Sequence, residues 1–403
     1  MVFIKDVVAS VILDSRKEKT IQITVITTAG KFTSSAPQGK STGKFEVKTY
    51  KKSIEEDIKS LKKMMEYLGE DDFTEFDDLK KVEDILAGHT GSNTVIAFEY
   101  SLLKAIAKEN GKEVWEIIYP DSDKSKMKFP RLVGNCIGGG KHTRGLGERE
   151  LKPEFQEFLL IPDSENVLSS WNVNKTARAN ANVILGKVDG LFKSKPNDEN
   201  AWQTSLDNKR VLEIVDDIKE EVMDEFSIKL DCGLDVAASS FYSRKKYRYG
   251  NPKFDRTIEE QIDYLSNLIK NFRIFYIEDP FDEEDFESFA VLQKKFPKAM
   301  IVGDDLTVTN SKRLEKAIKM KSITGIIVKP NQCGSLIEVK RVCELAKKNN
   351  IKIIFSHRSG ETTENILADL AFGFGADFLK CSIVGKEREA KIERLIEISK
   401  KLN

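Results

Sequence analysis

The sequence predicts an α/β barrel preceded by a smaller α+β unit. Three observations predict it. At 403 residues the chain is too long for one small domain and suits a barrel-sized domain plus a second one. Its first 30 or so residues read as strands and are followed by helices. After a polar stretch, Asp121 to Pro130, short apolar runs alternate with helical segments at a regular beat over about 250 residues.

In chain order, VVASVILDS and TIQITVITT are rich in β-branched residues and flank the polar turn Arg16-Lys17-Glu18-Lys19, so they read as paired strands. A glycine- and serine-bearing loop, APQGKSTGKFE, follows. SIEEDIKSLKKMMEYLG and NTVIAFEYSLLKAIAKENGKEVWEIIY carry the apolar period of helices. The stretch DSDKSKMKFP is charged and ends in proline, which places a boundary there and divides the chain into units 1–127 and 128–403. Beyond it come the strand runs FQEFLLIP, FSIKLDCGLDVAAS, FRIFYIEDPF, AMIVGDDLTVTN, ITGIIVKPNQCG, IKIIFSHRSGE and ADFLKCSIVG. Helices such as IEEQIDYLSNLIKN and LIEVKRVCELAKKNN lie between them, and SRKKYRYGNPKFD reads as an inserted turn.

Composition excludes several function classes. Lys plus Arg equals Asp plus Glu at 65 each, so the charge balance favours neither nucleic acid nor an anionic membrane. Five cysteines without a CxxC pair argue for reduced thiols in a cytoplasmic protein rather than disulfides or a zinc site. No apolar run approaches the roughly 18 to 20 residues of a membrane span, and MVFIKDVVAS does not read as a signal peptide. Gly39-Lys40-Ser41 looks like the tail of a nucleotide-binding P-loop, but that motif needs glycine at position 34, which is serine. The Gly138 to Lys141 run fails because Asn135 and His142 hold the other key positions. The third histidine, His89, reads as a turn residue, and the basic C-terminal segment KEREAKIERLIEISKKLN as a solvated amphipathic helix.

A polar residue closes each of six successive barrel runs: Asp235, Glu278, Asp304, Lys329, His357 and Lys380, spaced 43, 26, 25, 28 and 23 residues apart. Strand ends of a (β/α) barrel converge on one face, so these residues are expected to meet around one cavity. Converging Asp235, Glu278 and Asp304 repel one another unless a cation neutralises them. All-oxygen ligation selects a hard ion, Mg²⁺ first, with Mn²⁺ as a substitute. Near a divalent cation and the second ammonium of Lys380, the charged form of Lys329 is disfavoured, which suits a base. A metal with a neutral lysine suits removal of a weakly acidic proton beside a carboxylate. Ser356-His357-Arg358-Ser359-Gly360-Glu361 offers several donors to one anion.

At these residues the chain resembles the enolase family. GLDVAASSF, IEDPF, GDDLTVTN, VKPNQCGSL and SHRSGET are similar to enolase barrel motifs in enolase order, as are ILDSR, QGKSTGKFE and QEFLLIP. The resemblance spans nearly the whole chain. It implies an enolase-type (β/α)8 barrel with one early antiparallel strand, an N-terminal α+β capping domain, and Mg²⁺-dependent dehydration of 2-phosphoglycerate to phosphoenolpyruvate. The residue roles it implies are as follows. Asp235, Glu278 and Asp304 hold a first Mg²⁺, and Ser41 a second. Lys329 takes the C2 proton. Glu199, with Glu157 nearby, is the acid that assists departure of the C3 hydroxyl. Lys380 pairs with the substrate carboxylate, Arg358 and Ser359 bind phosphate with His357 beside them, and His142 lies on a loop over substrate. A homodimer or higher homo-oligomer is implied, with Arg16 matching an interface arginine. The chain departs from the family pattern at Asn197-Asp198-Glu199-Asn200-Ala201, where Asp-Glu-Gly-Gly is usual, at DSRKEKT, and at Gln38 and Lys40. At the lost glycines, Asn200 is the better able to take a left-handed conformation and Ala201 the less. Two alternatives therefore stay open: an enolase-like paralogue acting on a different hydroxy acid, and a non-catalytic binding protein.

Overall fold

The computed structural model describes residues 1–40, 42–119 and 127–402; Ser41 and much of the expected boundary stretch lie outside these. The first unit is an antiparallel sheet of Val2–Leu13 (β1), Lys19–Thr27 (β2), Gly30–Ser35 (β3) and Asp72–Phe73 (β4), in the order β3-β2-β1-β4. Ile21, Ile23 and Val25 alternate along β2 and are fully buried, the period of a sheet with one face covered. The covering helix is Ser92–Glu109, and its Ser101 hydroxyl donates to the Ile23 carbonyl at 2.9 Å. The turn between β1 and β2 lacks glycine, and Lys17 takes φ 65° there. Asp14 Oδ1 accepts the N–H groups of Arg16 at 2.8 Å and Glu18 at 2.9 Å and holds the turn.

The barrel comprises Arg131–Gly138 (β5) and Glu157–Pro162 (β6), followed, after the two-residue Trp202–Gln203 (β7) on the edge of β5, by Leu230–Asp235 (β8). Tyr242–Ser243 (β9), Lys246–Gly250 (β10) and Lys253–Arg256 (β11) form a separate three-stranded sheet. The barrel resumes with Tyr276–Glu278 (β12), Met300–Gly303 (β13), Gly325–Val328 (β14), Lys352–Ser356 (β15) and Phe378–Lys380 (β16). Pairing of β16 with β5 closes eight strands, and only β6 runs antiparallel to its barrel neighbours. The seven predicted runs supply seven of these strands; the eighth, RLVGNCIG, carries too much Gly and Asn to read as a strand. The insertion read as a turn is the β9 to β11 sheet, whose Tyr247 and Tyr249 are buried.

Val133, Leu159, Ile161, Tyr276, Val302, Ile327 and Ile354 pack as one cluster inside the barrel. A Cβ on Gly233 would lie 3.1 Å from that of Tyr276 and 3.2 Å from that of Leu159, so this strand position takes only glycine without displacing its neighbours. Lys386–Leu402 forms the C-terminal helix, but not the purely solvated one expected. Arg388 is fully buried and Lys391 nearly so, their side chains reaching carbonyls of the 359–364 segment. No described helix is long and apolar enough to cross a membrane.

All five cysteines are unpaired. Burial pushes the thiols of Cys136, Cys232, Cys343 and Cys381 up to about 12. The native chain at pH 8 should therefore resist a disulfide-exchange thiol reagent at these positions and react fully only in denaturant. Rapid reaction of the native chain would contradict the packing.

Candidate active site

Strand register assembles the centre. Glu157 on β6 pairs with Asp235 on β8, and Asp235 pairs with Glu278 on β12. Because β6 is antiparallel, its first residue lies at the same barrel end as the last residues of β8 and β12. Lys380 closes β16, and its Nζ lies 2.9 Å from Asp235 Oδ2 and 2.8 Å from Glu278 Oε2. It also lies 2.9 Å from Glu157 Oε2, off the line of a hydrogen bond. Burial works against the Lys380 charge, yet Asp235, Glu157 and Glu278 hold the ammonium well above the ordinary lysine range. Burial and then the Asp235 carboxylate push Glu278 up to about 8, Lys380 pulling the other way. Gln156 Nε2 donates to Asp235 Oδ2 at 3.2 Å.

Asp304 follows β13, and Lys329 follows β14 with its Nζ hydrogen-bonded to Asp304. Burial lowers the Lys329 pKa, but Asp304 outweighs it, and the net shift is upward. The expectation of a neutral Lys329 concerns a site that holds a divalent cation; in the chain by itself Asp304 favours the ammonium. Asp304 is set by Gln332 Nε2 at 3.0 Å and by its own N–H, which donates to Asp279 Oδ1 at 3.0 Å.

On the opposite wall, Glu199 Oε1 lies 3.2 Å from His142 Nδ1, and Glu199 Oε2 lies 3.2 Å from Asn135 Nδ2 and 3.7 Å from His357 Nε2. Burial pushes His357 well below the usual histidine range, the Glu199 carboxylate pulling the other way. Burial also raises Glu157, helped by the charges of Glu199 and Asp235, and the net is well above the carboxylate range despite Lys380. For Glu199 burial is outweighed by His142 and His357, and it falls well below. Glu157 and Glu199, buried neighbours whose shifts oppose one another, therefore titrate as a pair. Arg358 is buried, its Nη2 3.0 Å from Glu46 Oε2 and its Nη1 3.1 Å from Asn331 Oδ1.

Ten of the twelve predicted site residues line one cleft of about 150 Å³: Glu157, Glu199, His142, Asp235, Asp304, Lys329, His357, Arg358, Ser359 and Lys380. Ser41 lies outside the described residues. Glu278 sits fully buried beneath the cleft, and the Tyr276 hydroxyl donates to its Oε2 at 2.5 Å. The three predicted metal ligands thus do not form one tight oxygen triad: Asp235 and Glu278 meet on Lys380, while Asp304 meets Lys329. The close groups among the described residues are Asp279, Asp304 and Asp305, and His142, Glu157 and Glu199. Asp279 is a weak ligand, since both of its oxygens accept backbone N–H groups of residues 304 and 305. The residues still fit a hard cation. The donors are all oxygen, and Glu278 Oε1 and Gln156 Oε1 are buried with no hydrogen-bond partner.

Sequence reasoning missed Asp279, Asp305, Gln156 and Glu46. Each stands within a motif quoted for its neighbour, IEDPF, GDDL, QEF and GKFE, so the signal was adjacency to a named residue.

The fold and site define an enzyme of the α/β-barrel class, with an acid–base centre at the strand ends. Residues 126–403 match the family described as enolase, C-terminal TIM barrel domain. The chain is 35% identical over 376 residues to a protein named Enolase from Pyrobaculum aerophilum, covering 90% of this chain and 87% of that one. It is 36% identical over 417 residues to one from Methanosphaera stadtmanae, covering 99% and 97%. It is 33% identical over 401 residues to one from Archaeoglobus fulgidus, covering 98% and 96%. The chain belongs to the enolase family, as a lyase of that type.

Replacing Lys380 with Met should leave three buried carboxylates without their cation. The metal-free protein should lose about 3–5 kcal/mol in urea unfolding. Unchanged stability would show that the ammonium does not hold them.

Proposed function

We propose that the chain dehydrates 2-phosphoglycerate to phosphoenolpyruvate. The observation that carries this reading is the meeting, in one cleft, of two lysines and an acidic cluster with the His357-Arg358-Ser359 anion site. In this reading Asp235, Glu278 and Asp304 hold a first Mg²⁺, for which Mn²⁺ can substitute, and Ser41 belongs to a second. When bound, the metal neutralises charge gathering on the substrate carboxylate.

The chain's own residues do the rest. Arg358 and Ser359 hold the phosphate, and Lys380 faces the carboxylate. Lys329 Nζ takes the C2 proton, and the electron pair passes into the carboxylate. Lys329 must first be neutral. Asp304 both holds its ammonium and is a proposed metal ligand, so withdrawing that carboxylate lowers the lysine pKa. The pair then returns to form the C2–C3 double bond as the C3–O bond breaks. The leaving hydroxyl takes a proton from the Glu199–Glu157 pair and departs as water, beside His142. Glu199 is the member of that pair that matches the family's acid.

The reading extends to the whole molecule: a capping unit, 1–127, on a catalytic barrel, 128–403, in a cytoplasmic homodimer or higher homo-oligomer.

Purified protein with Mg²⁺ and 2-phosphoglycerate should produce the absorbing enol phosphate. Lys329→Ala should lower kcat at least about 10²- to 10⁴-fold, the usual contribution of a positioned base, while Mg²⁺ still binds in a calorimetric titration. Turnover near wild type would remove Lys329 as the base. A wild-type kcat/KM far below about 10⁴ M⁻¹s⁻¹, the low end for ordinary enzymes, would instead favour a different hydroxy acid.

A further inference from the structure

Ser359 stands at the anion end of the cleft, almost fully buried. Its Oγ accepts two hydrogen bonds. One comes from the Lys40 backbone N–H at 2.7 Å, the other from Arg16 Nη1 at 3.1 Å. A serine hydroxyl has two acceptor lone pairs and one proton. With both lone pairs taken, only donation remains.

We infer that Arg16 is a positioning residue that commits the Ser359 hydroxyl to donate to an oxyanion in the cleft, a phosphate monoester in the reading proposed above, on which this inference rests. The guanidinium is not part of the cleft lining; it acts through Ser359. Filling the second lone pair fixes the rotor, and a cation behind the oxygen makes its proton a stronger donor. A group bearing only donors would find no acceptor there, whereas phosphate offers only acceptors.

The placement of Arg16 is built rather than incidental. The Ser15 N–H donates to the Glu361 carbonyl at 2.8 Å, and the Glu361 N–H donates to Ser15 Oγ at 3.1 Å. The turn between β1 and β2 is thereby sewn to the loop that carries Ser359. Between them Gly360 has no room for a side chain, since a Cβ there would lie 2.0 Å from Asp14 Oδ2. Asp14 is also the residue whose Oδ1 holds the Arg16 and Glu18 N–H groups. Arg16 is almost buried, and its Nη2 pairs with Glu18, so it is aimed from both sides. The resemblance marks Arg16 as an interface residue; the geometry gives it a second partner within its own chain.

The test is a double-mutant cycle on the full chain with Mg²⁺, using Arg16→Met, Ser359→Ala and the pair. It reads KM and kcat for 2-phosphoglycerate and the inhibition constant of inorganic phosphate. Each single variant should raise KM and the phosphate inhibition constant about fivefold, the factor an ordinary hydrogen bond is worth, with kcat changed less than about twofold. The double variant should be no worse than Ser359→Ala alone, and Arg16→Lys should recover most of the loss. Effects that multiply in the double variant, or an Arg16→Met protein with wild-type KM, would overturn the inference. If Arg16→Met does not fold, the same cycle with Arg16→Gln decides by the same criterion. A wild-type protein that does not turn over 2-phosphoglycerate would overturn the proposed function; a wild type that does, beside an unaffected Arg16 variant, would overturn only the role of Arg16.

Discussion

Three acidic groups placed side by side at the mouth of a barrel, out of water, cannot all ionise unless something positive holds them. Adjacent strands lie only about 4.8 Å apart, and at an effective dielectric constant near 20 two like charges at such a distance repel by about 3–4 kcal/mol. The register of β6, β8 and β12 imposes this proximity on Glu157, Asp235 and Glu278. Lys380 answers it from β16, across the barrel, with its Nζ within 2.9 Å of an oxygen of each. The ammonium and the strand register are thus one constraint seen from two sides. The same pressure raises Glu157 and Glu278, and it leaves orphaned oxygens such as Glu278 Oε1 that a divalent cation would satisfy.

The first unit does more than cover this centre. Pro37 O and Asn93 Oδ1 both accept from Asn331 Nδ2 at 3.0 Å, and Glu46 pairs with the buried Arg358. Further out, Glu83 Oε1 accepts from the Ser335 hydroxyl at 2.5 Å, and Glu99 Oε2 from the Leu336 N–H at 3.1 Å. Gly39 lets the chain pass over the Arg358 guanidinium, where a Cβ would lie 1.9 Å from Nη2. The surroundings of Arg358 are therefore scaffolded in part by loops of the first unit.

Much of this was legible in the sequence, for physical reasons. Buried parallel strands are continuous apolar runs, and a polar residue ending each run marks the catalytic face, so Asp235, Asp304, Lys329, His357 and Lys380 could be placed in one cavity by their beat. β5 was illegible because Gly134, Asn135 and Gly138 dilute its apolar signal; its burial comes from closure against β16, which no local pattern encodes. The pairing of Lys329 with Asp304 was illegible for a related reason. It depends on which neighbour reaches Nζ first, and the sequence places Asp304 in the site without saying that it touches the lysine. Arg388 was hidden in a run of charges that looks solvated, although its guanidinium is buried against the Ser359 carbonyl.

The loop that carries Glu199 is held by side chains where the resemblance implies two glycines. Two glycines are missing there, yet only one position needs their freedom: Asn200 takes φ 62°, as its side chain allows, while Ala201 has no left-handed backbone and its methyl is fully buried. Asn197 holds the turn from within, its Oδ1 accepting the Glu199 N–H at 2.9 Å and the Ala201 N–H at 3.0 Å. Its Nδ2 donates to Thr143 Oγ1 at 3.2 Å, a bond that an aspartate could not donate, and this ties the Glu199 loop to the one bearing His142. Arg178 grips the Asn200 carbonyl from Nε at 3.1 Å and Nη2 at 2.9 Å, its guanidinium stacked 3.8 Å over Trp202. Lys40 reaches Asp198 at 2.6 Å from the other side of the cleft. Side-chain hydrogen bonds hold this loop without a glycine. Glu199 is consequently aimed by a network of side-chain hydrogen bonds anchored on Asn197 and Arg178.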